Sequence, residues 1–203
     1  MKKVISLIVC LFAAGTLSAQ AFENGGNYIT LGFGFDPYGN AGAGNSGNGY
    51  KHAALGPIVL TYERGITELL GIGRIGVGGG VAQSFYTSTY NYSHPVWGYH
   101  YEEKYTRSRT SLVFRAAYHF DFGVDKMDVY AGVGGAMHFY SDKHTSTSAD
   151  PDDYYEYKYS DSSIGGGHYV FGGIRYYFTD SFGVYAEAGH GIYALNGGVV
   201  FAF

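Results

Sequence analysis

Five charged residues stand on segments otherwise built from small and apolar side chains: Glu63, Arg74, Arg115, Arg175 and Glu187. The chemistry open to them is ion pairing, since an unpaired charge withdrawn from water costs several kcal/mol. Arg175 and Glu187 flank a turn at Asp180, which makes them diagonal neighbours on one face of a hairpin. Catalytic arrangements are weaker, because a nucleophile needs a base within hydrogen-bond reach and a third group to orient that base. His190 is followed by Gly191-Ile192-Tyr193, with no serine beside it, and His119 sits close to a tight turn. The run Gly71-Ile72-Gly73-Arg74-Ile75-Gly76 matches a dinucleotide-binding glycine pattern, which requires a helix opening at the glycines. The glycines continue instead as Gly78-Gly79-Gly80 in strand alternation, so they read as a wall of small residues. Asp150, Asp152 and Asp153 form an acidic group without the spacing of an EF-hand. No enzyme, cofactor or metal is expected.

A second set of residues suits recognition. Tyr92, Trp97, Tyr99 and Tyr101 crowd the polar segment 87–109, and Tyr154, Tyr155 and Tyr157 crowd the segment 141–163. Tyrosine joins a rigid contact face to a polar tip and recurs in binding surfaces. The same residues also suit an aromatic girdle, or strands that run on past an apolar belt. Period two in Tyr99-Tyr101 and Tyr155-Tyr157-Tyr159 favours strands.

The elements that must hold these groups follow from alternation of side chains along a strand. Eight strands are expected: 28–35, about 54–64, about 68–90, about 110–122, about 128–140, and three more between Tyr169 and Phe203. In each, a bulky apolar row faces one way and a row of small or polar residues the other. Leu112, Phe114, Ala116, Tyr118 and Phe120 oppose Val113, Arg115, Ala117 and His119; Phe182, Val184, Ala186 and Ala188 oppose Gly183, Tyr185, Glu187 and Gly189. The final strand carries Val199, Phe201 and Phe203 on its apolar face. Short turns follow the second, fourth and sixth strands, and longer segments the first, third and fifth. The segment 36–51, rich in Gly and Asn, is expected to be a loop, and Pro57 to mark a bulge near a rim. Apolar rows outside and a crowded polar row inside predict an all-β fold: an eight-stranded antiparallel up-and-down transmembrane β-barrel.

Composition agrees. Of 203 residues, 33 are Gly and 22 Tyr, which suits twisted strands and interfacial aromatics rather than disorder. Residues 1–21 read as a signal peptide: Lys2-Lys3, an apolar core from Val4 to Ala14, then small residues with cleavage after Ala19 or Ala21. The core is too short to span a bilayer as a helix. Residues 22–203 form the barrel domain. Removal of the leader takes Cys10 and two of the 13 basic residues, leaving 11 against 17 acidic ones. Such a chain has no disulfide and no basic footprint for nucleic acid.

Several pieces together resemble the small eight-stranded outer-membrane barrels of the OmpX-like and OmpA-like superfamily. They are LTYERGIT (60–67), FRAAYHF (114–120), DVYAGVGGA (128–136), GIRYYFTDSFGVYAEAGHGI (173–192) and the terminal VVFAF. The resemblance implies a place in the outer membrane of a Gram-negative bacterium, in contact with its lipid. It also implies that the barrel assembly machinery reads Val199, Phe201 and Phe203 during insertion. The charges Glu63, Arg74, Arg115, Arg175 and Glu187 are expected to fill the lumen as a salt-bridged network, since eight strands enclose a bore just wide enough for side chains. A structural or surface-interaction role, with an extracellular ligand or host surface met by the tyrosine-rich loops, is the leading expectation. A narrow channel for small solutes or hydrophobic compounds is the rival, and a lipid-modifying enzyme a third class.

Overall fold

The computed structural model describes residues 21–35, 42–46, 49–93, 100–149 and 154–203. Trp97, Tyr99, Asp150, Asp152, Asp153 and residues 1–20 of the expected signal peptide lie outside them. Nine strands occur among the described residues: β1 (Asn27–Phe35), β2 (Gly42–Ser46), β3 (Tyr50–Gly65), β4 (Gly73–Ser93), β5 (His100–Phe120), β6 (Met127–Ala149), β7 (Tyr154–Thr179), β8 (Phe182–His190) and β9 (Leu195–Ala202). Each pairs antiparallel with its neighbour, and β1 pairs with both β3 and β9. Eight strands therefore close into an up-and-down ring, which leaves no sheet edge around the wall. The seam is tied at the chain's end, where the Asn27 and Phe203 backbones exchange N–H···O bonds of 3.1 and 3.0 Å.

Side-chain alternation sorts the wall as the sequence predicts. Thr30, Val59, Thr61, Glu63, Val113, Arg115, Ala117, Tyr130, Arg175, Glu187 and Val200 are buried inside. Leu31, Phe33, Leu60, Phe114, Val133, Met137, Ile174 and Leu195 face out and stand exposed. Around the short-turn end the outward rings touch in series: Tyr118–Phe120–Phe122 at 5.1 and 6.0 Å, and Tyr176–Phe178–Phe182–Phe201 at 5.5, 6.2 and 5.3 Å. Inside, glycine makes room for larger neighbours. A Cβ on Gly173 would stand 2.6 Å from both the Tyr130 ring and the Glu187 Cγ.

Three expectations need correction. The described parts of the tyrosine-rich segments expected as outer loops are strands, as their period of two favours: β4–β5 pairing runs from Gly73↔Phe120 to Ser93↔His100, and β6–β7 pairing from Met127↔Tyr176 to Ala149↔Tyr154. On β6 the strand runs on past the apolar row from Tyr140 to Ala149, because Thr, Ser and Tyr alternating there suit a two-faced strand. The segment 36–51 is not wholly a loop either, since Gly42–Ser46 pairs with Tyr50–Ala54 as β2 on β3. The strand expected from Glu68 begins at Gly73; residues 66–72 turn, with the Ile75 N–H donating to Thr67 Oγ1 at 2.8 Å. The bulge expected at Pro57 is present: the register shifts between Leu55 and Ile58, which reverses the facing of β3 beyond that point. Tyr50 and His52 thereby join the face of their partners Tyr90 and Ser88.

Beyond the rim the ring opens into a sheet. β8 ends at His190, opposite Val170 of β7, whereas β7 starts at Tyr154. One flank of the mouth, β1, β9 and β8, is low, and the other, β3 to β7, is tall.

Candidate functional site

The inward charges converge from five strands. Arg175 (β7) donates to Glu63 (β3) at 2.6 Å and to Asp128 (β6) at 3.3 Å. Arg115 (β5) donates to Glu187 (β8) at 2.8 Å and approaches Glu63 at 3.6 Å. His119 (β5) places Nε2 2.7 Å from Glu63 and Nδ1 2.8 Å from Asp128. Only the imidazolium form donates at both nitrogens, and with it three cations face three carboxylates. Tyr193 adds a hydroxyl to Glu187 at 2.9 Å. The guanidinium of Arg115 lies 4.1 Å over the Phe171 ring and that of Arg175 4.6 Å over Tyr130, so aromatic faces cover the charge that hydrogen bonds do not. All six ionisable members are buried.

Glu63, Arg115, Arg175 and Glu187 thus belong to one cluster, although Arg175 and Glu187 serve different partners. Arg74 stands apart at the short-turn rim, 2.9 Å from Asp121. The sequence reading missed Asp128 and His119 as members. Both carry the signal, since they share the parity of Arg115 and Tyr130, but their nearness to a turn hid it. Phe22 was missed too: it is buried against His119 and Tyr28. A serine–histidine contact also comes to light, Ser111 Oγ to His138 Nδ1 at 2.8 Å. Ser111 is 1% exposed, and that denies any substrate carbonyl access to its hydroxyl.

The second constellation is the tall sheet. Tyr50, Tyr86, Tyr90, Tyr92, Tyr101, Tyr105, Tyr140, Tyr155, Tyr157 and Tyr159 sit at registers that share the inward-facing side, continuous with the lumen wall. The opposite side carries Thr87, Thr89, Glu102, Lys104, Lys143, Thr145, Glu156 and Lys158. A girdle would require the tyrosines on the outward face, so the girdle reading does not hold for these residues. Tyr92, Tyr155 and Tyr157 are exposed and Tyr101 half-buried; of Tyr154 only the backbone pairing with Ala149 is described. Across the middle of this face Arg107 grips Asp142 with two bonds of 2.7 and 3.1 Å, and Tyr105 donates to the same carboxylate at 2.7 Å. The bonds from Arg107 hold the Asp142 carboxyl below its usual range, and the pair in turn holds the Arg107 guanidinium above its own. Higher up, His144 Nε2 lies 2.7 Å from Glu103, and Tyr50 stacks on Tyr90 at 4.4 Å.

Fold and site together define a closed eight-stranded antiparallel barrel with an ionic bore and a one-sided aromatic extension. No protein-family model matches the chain, and no curated protein does. Among the solved structures that are similar are two of Ail, the attachment invasion locus protein of Yersinia pestis. The first, 11% identical, covers 89% of this chain and 99% of that one with a TM-score of 0.38. The second, in complex with the heparin analogue sucrose octasulfate, is 13% identical over the same shares with a TM-score of 0.36.

Proposed function

We propose that this protein is an integral barrel of a Gram-negative outer membrane, closed to solutes, that presents its tall sheet for attachment at the cell surface. The observation that carries the reading is the continuation of β4 to β7 past the rim with the tyrosines of the inward side gathered on one face. The outward apolar row of β6, Val129 to Phe139, is roughly 33 Å long at about 3.3 Å per residue. At the usual tilt of about 40° it covers roughly 25 Å, the height of an outer-membrane apolar band. Outer-membrane lipid meets that belt, and ring closure gives every strand of the wall a hydrogen-bonded neighbour on both sides. Residues 1–21 act as the signal peptide, and the assembly machinery reads Val199, Phe201 and Phe203, which share the outward parity of β9.

The lumen cluster of Glu63, Arg115, His119, Asp128, Arg175 and Glu187 serves as a brace, with Arg74 and Asp121 bracing the rim below it. Its charges cancel among themselves, which leaves no free ion site along a bore of this width, and that favours the plug over the channel. The protein acts by contact rather than by covalent chemistry. Two measurements test the reading. In a planar bilayer the refolded barrel is expected to pass no resolvable current, and bacteria displaying it are expected to adhere to cultured epithelial cells. A steady current altered by Arg115→Met, or display without adhesion, would count against it.

A further inference from the structure

The tyrosine face contains a concavity of about 510 Å³ lined by Tyr50, Tyr90, Glu103, Tyr105, His144 and Tyr159, with Ser88 on its floor. Its position in the sheet limits what it can take. The floor is formed by β4, β5 and β6, each paired on both sides at this level, so no free backbone edge is offered to a peptide. What the concavity offers is ring faces, hydroxyls and one carboxylate. Tyr50 and Tyr90 form a tilted stack at 4.4 Å, and Tyr90 meets Tyr101 edge-on at 6.3 Å. The rings therefore line one wall as a graded platform rather than a deep apolar slot.

The charges decide between ligand classes. His144 is 2.7 Å from Glu103, and the neighbouring Arg107 is held by two bonds to Asp142. Arg107 has its carboxylate in place and His144 already meets Glu103, so a polyanion such as a sulfated glycan would have to break an existing contact before binding. Only one oxygen of Glu103 meets His144, and the other keeps its lone pairs for a hydroxyl donor. Flat aromatic faces beside a hydroxyl-accepting carboxylate suit a pyranose: its axial C–H groups stack on the rings while vicinal hydroxyls bind the polar rim. We propose that the concave face of the projecting sheet, centred on Tyr90 and Glu103, binds a neutral oligosaccharide. This inference rests on the attachment role proposed above and gives that role a ligand class.

The test uses the full barrel refolded into nanodiscs and applied to an array of neutral gluco-, galacto- and mannooligosaccharides beside sialylated and heparin-derived ones. Retention on neutral glycans is expected, changing less than about twofold between about 50 and 500 mM salt, since no charge pairing is involved. Tyr90→Ala and Tyr159→Ala should each weaken it about tenfold, as the loss of one stacked ring does, while Tyr90→Phe retains most of it. The heat-dependent gel shift of folded barrels verifies that each variant is folded. Binding confined to sulfated glycans, or no glycan bound at all, overturns the proposal. The attachment role is tested apart from it: if displaying cells adhere equally to enzymatically deglycosylated epithelial cells, the glycan proposal falls and the attachment role stands.

Discussion

Phe22 lies face to face on the imidazole of His119, with ring centroids 3.5 Å apart and planes 3° from parallel. The segment ahead of β1 therefore folds back into the short-turn mouth of the barrel and roofs the ionic cluster. Tyr28 continues the stack at 4.7 Å and accepts the Glu23 N–H at 2.8 Å. Buried Phe→Ala changes cost about 3–5 kcal/mol, and Phe22→Ala should fall near the lower limit because one side of the mouth is open. Urea unfolding of the barrel in detergent measures it. A loss below about 1 kcal/mol would mean that the roof adds nothing.

Arg115 and Glu187 form a buried pair in which each needs the other. Removing one partner of such a pair costs about 3–5 kcal/mol, because the other is left charged and dry. Arg115→Met should show that loss, and Arg115→Met combined with Glu187→Leu should recover most of it. If the double variant is no better than the single one, the brace depends on the whole cluster instead of this pair.

Gly173 is small because Tyr130 and Glu187 occupy the space that its Cβ would need. Gly173→Val should destabilise the barrel by about 1–3 kcal/mol through overpacking. Pairing it with Tyr130→Ala should restore part of the loss, read on the same unfolding curves.

Asp142 is held ionised first by the hydrogen bonds of Arg107 and further by Tyr105. A carboxyl lowered in this way contributes above its ordinary range, and the contribution is lost as pH falls through the lowered value. Carbon-13 titration of the Asp142 carboxyl should give a midpoint below the ordinary value of about 3.9, returning to it in Arg107→Met. An ordinary midpoint in the unaltered protein would show that the pair does not persist in solution.

Phe203 keeps an exposed ring, and its ties to Asn27 run through the backbone. Phe203→Ala should therefore unfold like the parent once refolded in detergent, yet reach the outer membrane of living cells in reduced amount. Equal amounts in both settings would remove the terminal ring from the assembly signal.

Much of the barrel was legible because its signal is local. Bulky rows such as Leu112-Phe114-Ala116 against Val113-Arg115-Ala117 fix parity within each strand, and a closed ring needs little else. The bore was half legible. Arg115 and Glu187 stand out against apolar neighbours, but Asp128 and His119 sit where turn residues are common, and which charge meets which depends on stagger that no single strand encodes. The projecting sheet was hardest to read. Its strands are polar on both faces, so they resemble loops by hydropathy, and only the period of the tyrosines gives them away. The register shift between Leu55 and Ile58 hid the alignment of Tyr50 with Tyr90, since one extra residue reverses every facing beyond it.

β5 and β6 run without a break from the short-turn rim to the distal end of the tall sheet, 21 and 23 residues long. A tensile load applied at that end is directed along the strands, so their ladder is pulled in shear and many hydrogen bonds must yield together rather than one after another. The extension is thus continuous with the barrel wall, and a pull at its far end reaches the closed ring without a hinge.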